Sequence, residues 1–504
     1  MSAIVGTKQY LEYFNHPGST LQGGITASMS AGSFLGCILS GSVCDILGRK
    51  KTIQFSCIFW IIGSVLQCAS QNVAMLIVGR VLNGLTVGFT SSQVPVYLSE
   101  ISKRSVRGKI VGLQQWAIEW GILIMFFIGY GCSYIKGHAS FRVPWIIQVV
   151  PALFLMFLLI FIPESPRWLA SKGRWDECKL ILANIHGKGD DEDPEVLTEI
   201  AEIQEFVEIE NKQAIGYLEL YNKKNIYKTL VAQACQCSQQ LVGGNVIMYY
   251  VVYVFQMAGL TGSINLISSS VQYIIFLLFT VPTLFMMDKV GRRPLMIYGS
   301  IAMGTCMFII AGILAGKGEY AESIGGNDNI HITLVNSPAA SRTVLVFSYL
   351  FTMFYSLTWA PTAWVYCPEV FDQRTRCRGM AVAAASNWAM NFALAFYVPP
   401  AFDNIGWKTF VIFGVFNAAS AIYIFFLFPE TAKKSLEEIE ELFASNSPKP
   451  WKTKVGSERF EQTKEEFKQN PIQFDSETQP KSSLENKAEA QHVELAESKT
   501  QNSV

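Results

Sequence analysis

The chain has 504 residues, half of them hydrophobic, 16% charged and with no net formal charge. A soluble domain carries about 25% charged residues, so the deficit excludes an ordinary soluble protein, and the balanced charge gives no ground for a nucleic-acid partner. Among the 11 Cys there is no CxxC pair or metal-ligand spacing. Several sit inside apolar runs, as Cys37, Cys57, Cys68 and Cys306 do, so they read as small buried residues rather than a disulfide framework or a metal site. No basic stretch followed by a short apolar run opens the chain, so no cleavable signal peptide is expected.

A helix crossing a bilayer needs about 20 mostly apolar residues. On that criterion eleven spans are expected, at 22–44, 52–69, 73–98, 111–134, 145–162, 229–257, 265–287, 295–315, 343–366, 380–401 and 409–428. The first is rich in small residues, among them Gly23, Gly24, Gly32, Gly36 and Gly41. Such a helix serves either close packing in general or a moving interface. A polar loop, 8–21, is expected before it. The organisation is a first bundle over 1–162, a cytoplasmic loop over 163–228, a second bundle over 229–428 and a cytoplasmic tail over 429–504. The loop carries helical patterning at 174–185 and 196–208. The tail opens with an amphipathic stretch at 435–443 and from about 446 is too polar to build a core.

Alternate short loops differ in charge. One set holds Arg49, Lys50, Lys51, Lys103, Arg104, Arg107, Lys109, Lys289, Arg292, Arg293, Arg374, Arg376 and Arg378, thirteen in all. The other holds Lys8, Lys136, Arg142, Lys317, Arg342 and Lys408, six in all. The richer set is cytoplasmic by the positive-inside rule.

Two phrases are duplicated. Asp45-Ile46-Leu47-Gly48-Arg49-Lys50 returns as Asp288-Lys289-Val290-Gly291-Arg292-Arg293, and Pro163-Glu164-Ser165 is echoed by Pro429-Glu430-Thr431. A repeat of this kind marks two bundles related by internal pseudo-symmetry. Glu100 precedes Glu164 by 64 residues and Glu369 precedes Glu430 by 61, so the blocks match. Gln239 lies 49 residues before Asp288, and the same step back from Asp45 falls before Met1. The expectation is therefore an eleven-span chain lacking the first of twelve helices, with 1–7 as that helix's last turn.

The charged turns offer a cytoplasmic latch: Arg49, Arg107, Arg292 and Arg376 can pair with Glu100, Glu164, Glu369 and Glu430, with Asp45 and Asp288 beside them. Two charges fall inside apolar spans, Arg80 and Glu119, and intramembrane charges are functional candidates. Glu119 lies one turn after Gln115 and serves either proton coupling or a structural hydrogen bond. Gln239, Gln240 and Asn245 place neutral amides in a span, groups that donate and accept without the cost of a buried charge. Gly243-Gly244 between them could loosen the helix and turn Asn245 toward Gln240. Asn391 is one turn from Asn387, on the same face. No nucleophile–base set, phosphate loop or metal cluster points to an enzyme, and no cofactor is expected.

Together with Pro95-Val96-Tyr97-Leu98-Ser99-Glu100, Pro163-Glu164-Ser165-Pro166-Arg167 and Gln239-Gln240-Leu241-Val242-Gly243-Gly244-Asn245, these phrases resemble the sugar porter family of the major facilitator superfamily, nearest to its fungal high-affinity glucose transporters. Ala432 between Thr431 and Lys433 departs from the family's last phrase. The resemblance implies an all-α membrane protein of two bundles that passes a sugar across the plasma membrane by alternating access, as a monomer, with glucose and proton symport expected. A pentose, disaccharide, inositol or quinate porter, or a sensor that binds without transporting, is the alternative. It implies sugar contacts at Gln115, Gln239, Gln240, Asn245, Trp364, Asn387, Trp388 and Asn391. Gln114 is the register alternative to Gln115. Arg80 matches a position that faces an Asp on the first helix of proton-coupled relatives. Phe276 stands where the family often has an Asn.

Overall fold

Two glycines with left-handed backbone organise the helices around the duplicated turns. Gly48 (φ 87°) and Gly291 (φ 97°) each end one long helix and start the next within a single residue. A Cβ at Gly48 would stand 2.6 Å from Glu164 Oε2, and one at Gly291 would collide with the Glu430 carboxylate. Glycine therefore answers both the torsion and the space.

The computed structural model describes residues 8–102, 107–186, 189–190, 196, 200, 203–204, 216–322, 324, 330–334, 336–372, 375–434, 439, 442–443 and 449–456. Everything described belongs to one compact unit ending at Gly456; a second unit, Ser457–Val504, lies outside the described residues. So do 1–7, most of the patterned stretches 196–208 and 435–443, and most of the tail.

The helices, in order, are α1 (Lys8–Tyr13), α2 (Ser19–Leu47), α3 (Arg49–Cys68), α4 (Val73–Ile101), α5 (Arg107–Cys132), α6 (Ala139–Ile147), α7 (Val149–Leu158), α8 (Pro166–Ser171) and α9 (Trp175–His186). After the loop come α10 (Ile226–Leu241), α11 (Gly244–Tyr249), α12 (Val251–Met257), α13 (Gly262–Val290), α14 (Arg292–Lys317), α15 (Pro338–Leu357), α16 (Trp359–Val370), α17 (Arg376–Asn404) and α18 (Lys408–Leu427). A two-stranded hairpin, β1 (Glu319–Tyr320) with β2 (Ile332–Thr333), pairs Glu319 with Thr333 and Tyr320 with Ile332 between α14 and α15.

Ten described segments are long and apolar enough to cross a bilayer, two of them, Ala139–Leu158 and Pro338–Val370, built from paired helices. The remaining stretch expected as a span, 229–257, is helical in three shorter pieces, α10, α11 and α12, broken at Gly243 (φ 92°) and at Tyr250. The stretch expected as a polar loop before the first span contains a helix, α1. Its Tyr10 and Phe14 are buried against Phe141 and Trp145 of α6; the aromatic spacing of Tyr10, Tyr13 and Phe14 puts all three on one face.

The small residues of α2 do two jobs. Gly32 and Gly36 face the carbonyls of Val81 and Leu85 on α4, while Gly84 and Gly88 of α4 face Met29 and Ser33. A Cβ at any of the four would overlap the other helix's backbone, so spacing by four lets the two backbones touch. The opposite side of α2 runs antiparallel along α17, from Gly23 beside Phe396 to Gly41 beside Ala381. α5 packs likewise against α13. These two pairings join the first half of the chain to the second.

Candidate functional site

The break at Gly243 brings the amides together. Asn245 Nδ2 donates to Gln240 Oε1 at 2.8 Å, and Asn391 Nδ2 of α17 donates to the same oxygen at 2.9 Å. Gln240 Nε2 in turn donates to Asn387 Oδ1 at 2.9 Å. Asn387 Nδ2 donates to Gln239 Oε1 and Gln236 Oε1, both at 2.8 Å. Gln239 is held from behind, its Nε2 donating to the Ala360 carbonyl of α16 at 3.0 Å. From the first half, Ser30 Oγ of α2 donates to Asn391 Oδ1 at 2.5 Å. Gln236, Gln239, Gln240, Asn387 and Asn391 are all buried, and none carries a formal charge. Beside them a cavity is lined by Gln240, Asn245, Tyr249, Tyr250, Asn391 and Leu394.

Five of the eight expected contacts, Gln239, Gln240, Asn245, Asn387 and Asn391, thus fall into one bonded cluster. Trp364 and Trp388 sit on an adjoining apolar wall with Phe34, Cys37 and Ala384, and Trp388 Nε1 donates to Ser91 Oγ of α4 at 3.0 Å. Gln115 stands in a separate group: its Nε2 donates to Glu119 Oε1 at 3.2 Å. Sequence reasoning missed Gln236, Ser30 and Tyr249. Gln236 lies one turn before Gln239 and Gln240, and that spacing was the available signal.

Glu119 joins the halves. Thr280 Oγ1 of α13 donates to Glu119 Oε1 at 2.8 Å, while Glu119 Oε2 is buried with no hydrogen-bond partner among the described residues. Tyr355 lies close enough to sense its charge, and the Tyr355 ring covers Gly244 at the start of α11. Phe276, one turn before Thr280, packs on that ring at 5.8 Å. Arg80 is buried on α4. Its Nη2 donates to the Thr26 carbonyl at 3.1 Å, its Nε has no hydrogen-bond partner among the described residues, and Tyr10, Tyr249 and Tyr250 lie within electrostatic reach.

The duplicated turns build the same device twice. Arg49 forks onto Glu100, Nε to Oε2 at 3.0 Å and Nη2 to Oε1 at 2.9 Å. Arg292 forks onto Glu369 at 3.2 and 2.9 Å. The hydroxyls of Ser165 and Thr431 donate to the same glutamates. Glu164 accepts the backbone N–H of Lys50 at 3.0 Å, and Glu430 accepts those of Arg292 and Arg293 at 3.0 Å. Asp288 pairs with Arg292 at 3.0 Å. Each Arg–Glu fork joins helices of one half, so it fastens that half rather than bridging the two. At these turns Asp45 crosses to Arg378 of the other half at 3.0 Å, and Arg49 Nη2 to Cys377 Sγ at 3.1 Å. Arg376 Nη2 donates to the Phe371 carbonyl at 3.4 Å. The Arg107 side chain lies outside the described residues.

Comparison with known proteins bears on this arrangement. The model of the family described as "Sugar (and other) transporter" matches residues 5–443. A high-affinity glucose transporter of Kluyveromyces lactis is 49% identical over 456 residues, covering 90% of this chain and 83% of that protein. High-affinity glucose transporter 1 of Candida albicans is 45% identical over 457 residues, covering 90% and 84%. Among solved structures, the proton:xylose symporter XylE bound to 6-bromo-6-deoxy-D-glucose superposes with a TM-score of 0.74 at 24% identity, over 88% of this chain and 95% of that one. The fold is that of the major facilitator superfamily.

Proposed function

The chain belongs to the sugar transporter family, and from that premise we propose that it carries a hexose, glucose foremost, across the plasma membrane by alternating access with proton symport. The observation that carries this reading is the closed cluster of buried neutral amides from α10, α11 and α17. A pyranose offers a ring of hydroxyls, each donor and acceptor, so it can replace the amide–amide bonds one for one without stranding a buried polar group. Trp364 and Trp388 supply apolar ring faces for its C–H surface, and Gln115 meets it from the first half.

The two bundles, 1–162 and 229–428, are the rocking parts. The Arg49–Glu100 and Arg292–Glu369 forks keep the cytoplasmic end of each rigid, and the Asp45–Arg378 contact latches the ends together while the site faces outward. Glu119 carries the proton. It sits on the contact between α5 and α13, which must change as the bundles rock, and one of its oxygens is free of bonds within the described structure. Arg80 holds the outer part of α2 through Thr26 and biases the same movement.

The test is uptake of labelled sugars by the purified chain in liposomes with an imposed proton gradient. Glucose is concentrated when the gradient points inward, and other hexoses compete better than pentoses, disaccharides or inositol. Binding of glucose without any uptake would identify a sensor and overturn the transport reading.

A further inference from the structure

The seam between α2 and α17 has a seven-residue repeat on both helices. Ser30, Cys37 and Cys44 follow one another at that spacing on α2, and Cys377, Ala384 and Asn391 do so on α17. A seven-residue step keeps positions on one face of a helix. Two of the three facing pairs are fixed by contacts: Ser30 is bonded to Asn391, and Cys37 packs against Ala384. Just beyond, Gly41 stands beside Ala381 and Asp45 is paired with Arg378. The register therefore sets Cys44 opposite Cys377 at the cytoplasmic end.

We propose that Cys44 and Cys377 form a reversible disulfide that ties the two halves together on the cytoplasmic side. The groups around them suit the chemistry. Arg49 Nη2 donates to Cys377 Sγ at 3.1 Å, placing a cation on the sulfur that attacks first. Cys44 is fully buried and becomes the resolving partner, while Cys377 is only partly covered. The oxidant is a small hydroperoxide. The Cys377 sulfur gives an electron pair to a peroxide oxygen, the O–O bond breaks, and the first water leaves, giving a sulfenic acid. The Cys44 sulfur then attacks the sulfenic sulfur, the S–S bond forms and a second water leaves. Two thiols and one hydrogen peroxide become one disulfide and two waters. Two molecules of a cytosolic thiol such as glutathione reverse it by exchange, as befits a transient bond in a reducing compartment.

The functional consequence rests on the alternating-access reading: a link at this end prevents the halves from parting toward the cytoplasm. The experiment separates the two claims. Membranes containing the full chain are treated with hydrogen peroxide, free thiols are blocked, and unreduced digests are searched for the peptide pair joined through Cys44 and Cys377. The linked pair is expected in the unsubstituted chain, with uptake falling in proportion to the linked fraction and returning with dithiothreitol. Cys44→Ser is expected to transport as before and to keep transporting after peroxide. Absence of the linked pair overturns the proposal, as does equal loss of uptake in Cys44→Ser. If untreated membranes carry no sugar, the transport reading fails, and the linked peptide still decides the cysteine pair.

Discussion

Gln240 accepts from Asn245 and Asn391 through one oxygen and donates to Asn387 through its nitrogen, so it is the hub of the amide cluster. On the proposed reading Gln240→Ala removes a sugar contact, and it leaves partners to find others, at about 1–3 kcal/mol for a buried group left unpaired. The expected result is a KM for glucose raised about tenfold with kcat retained, since the contact serves ground and transition states alike. Saturation kinetics in liposomes measure it, and an unchanged KM would remove Gln240 from the site. Glu119→Gln asks a different question. The amide oxygen still accepts from Thr280 and Gln115, so the contact between α5 and α13 is preserved, but no proton can be released. One pH unit across the membrane is worth about 1.4 kcal/mol per proton, or tenfold accumulation at one proton per sugar. The variant is expected to lose that accumulation while still equilibrating sugar. A Glu119→Gln chain that concentrates glucose as well as the parent would exclude this carboxyl as the proton carrier.

At the scale of elements, the site depends on where helices stop. α10 ends because Gly243 adopts φ 92°, and only that turn points Asn245 back at Gln240. Gly243→Ala costs about 1–2 kcal/mol for the left-handed torsion, and the new Cβ would stand 2.9 Å from Met307 Cε. A lower unfolding temperature is expected, together with loss of the upward shift that glucose is expected to give the parent; an intact glucose shift would show that the break is not needed for binding. This break was legible in Gly243-Gly244, and the long apolar spans were legible from length alone. Other features were not. Thr358 interrupts α15 and α16 with φ −130° and ψ −71° inside a stretch read as one continuous span. Gln236 lies one turn before Gln239 and Gln240, but its partner, Asn387, is 151 residues later and follows only from packing. The repeat offered Arg49–Glu100 and Arg292–Glu369 among other pairings, but which pairs form and which contacts cross between halves is a property of packing, so the cross-bundle partner Arg378 stood in the basic-loop count without a role.

For the whole molecule, the duplicated turns separate two kinds of charge. Arg49 with Glu100 is a buried fork, and removing one partner of such a pair costs about 3–5 kcal/mol. Glu100→Gln should therefore lower the amount of folded protein rather than tune its movement. Asp45 with Arg378 is partly exposed, at 44% and 25% of the side-chain surface, and such a contact is worth about 0–1 kcal/mol. That is small for folding, yet 1 kcal/mol moves a two-state equilibrium about fivefold. Asp45→Asn is expected to leave protein levels unchanged and to shift the population toward the form open to the cytoplasm, up to that factor. The labelling rate of Cys377 by a maleimide applied from the cytoplasmic side reads the shift, because the seam that shelters it parts in that form. The exchanged pair, Asp45→Arg with Arg378→Asp, restores the contact with its charges reversed and should return the rate toward that of the parent. Additive acceleration in the exchanged pair would mean that the two residues act separately and that their contact does not latch the halves.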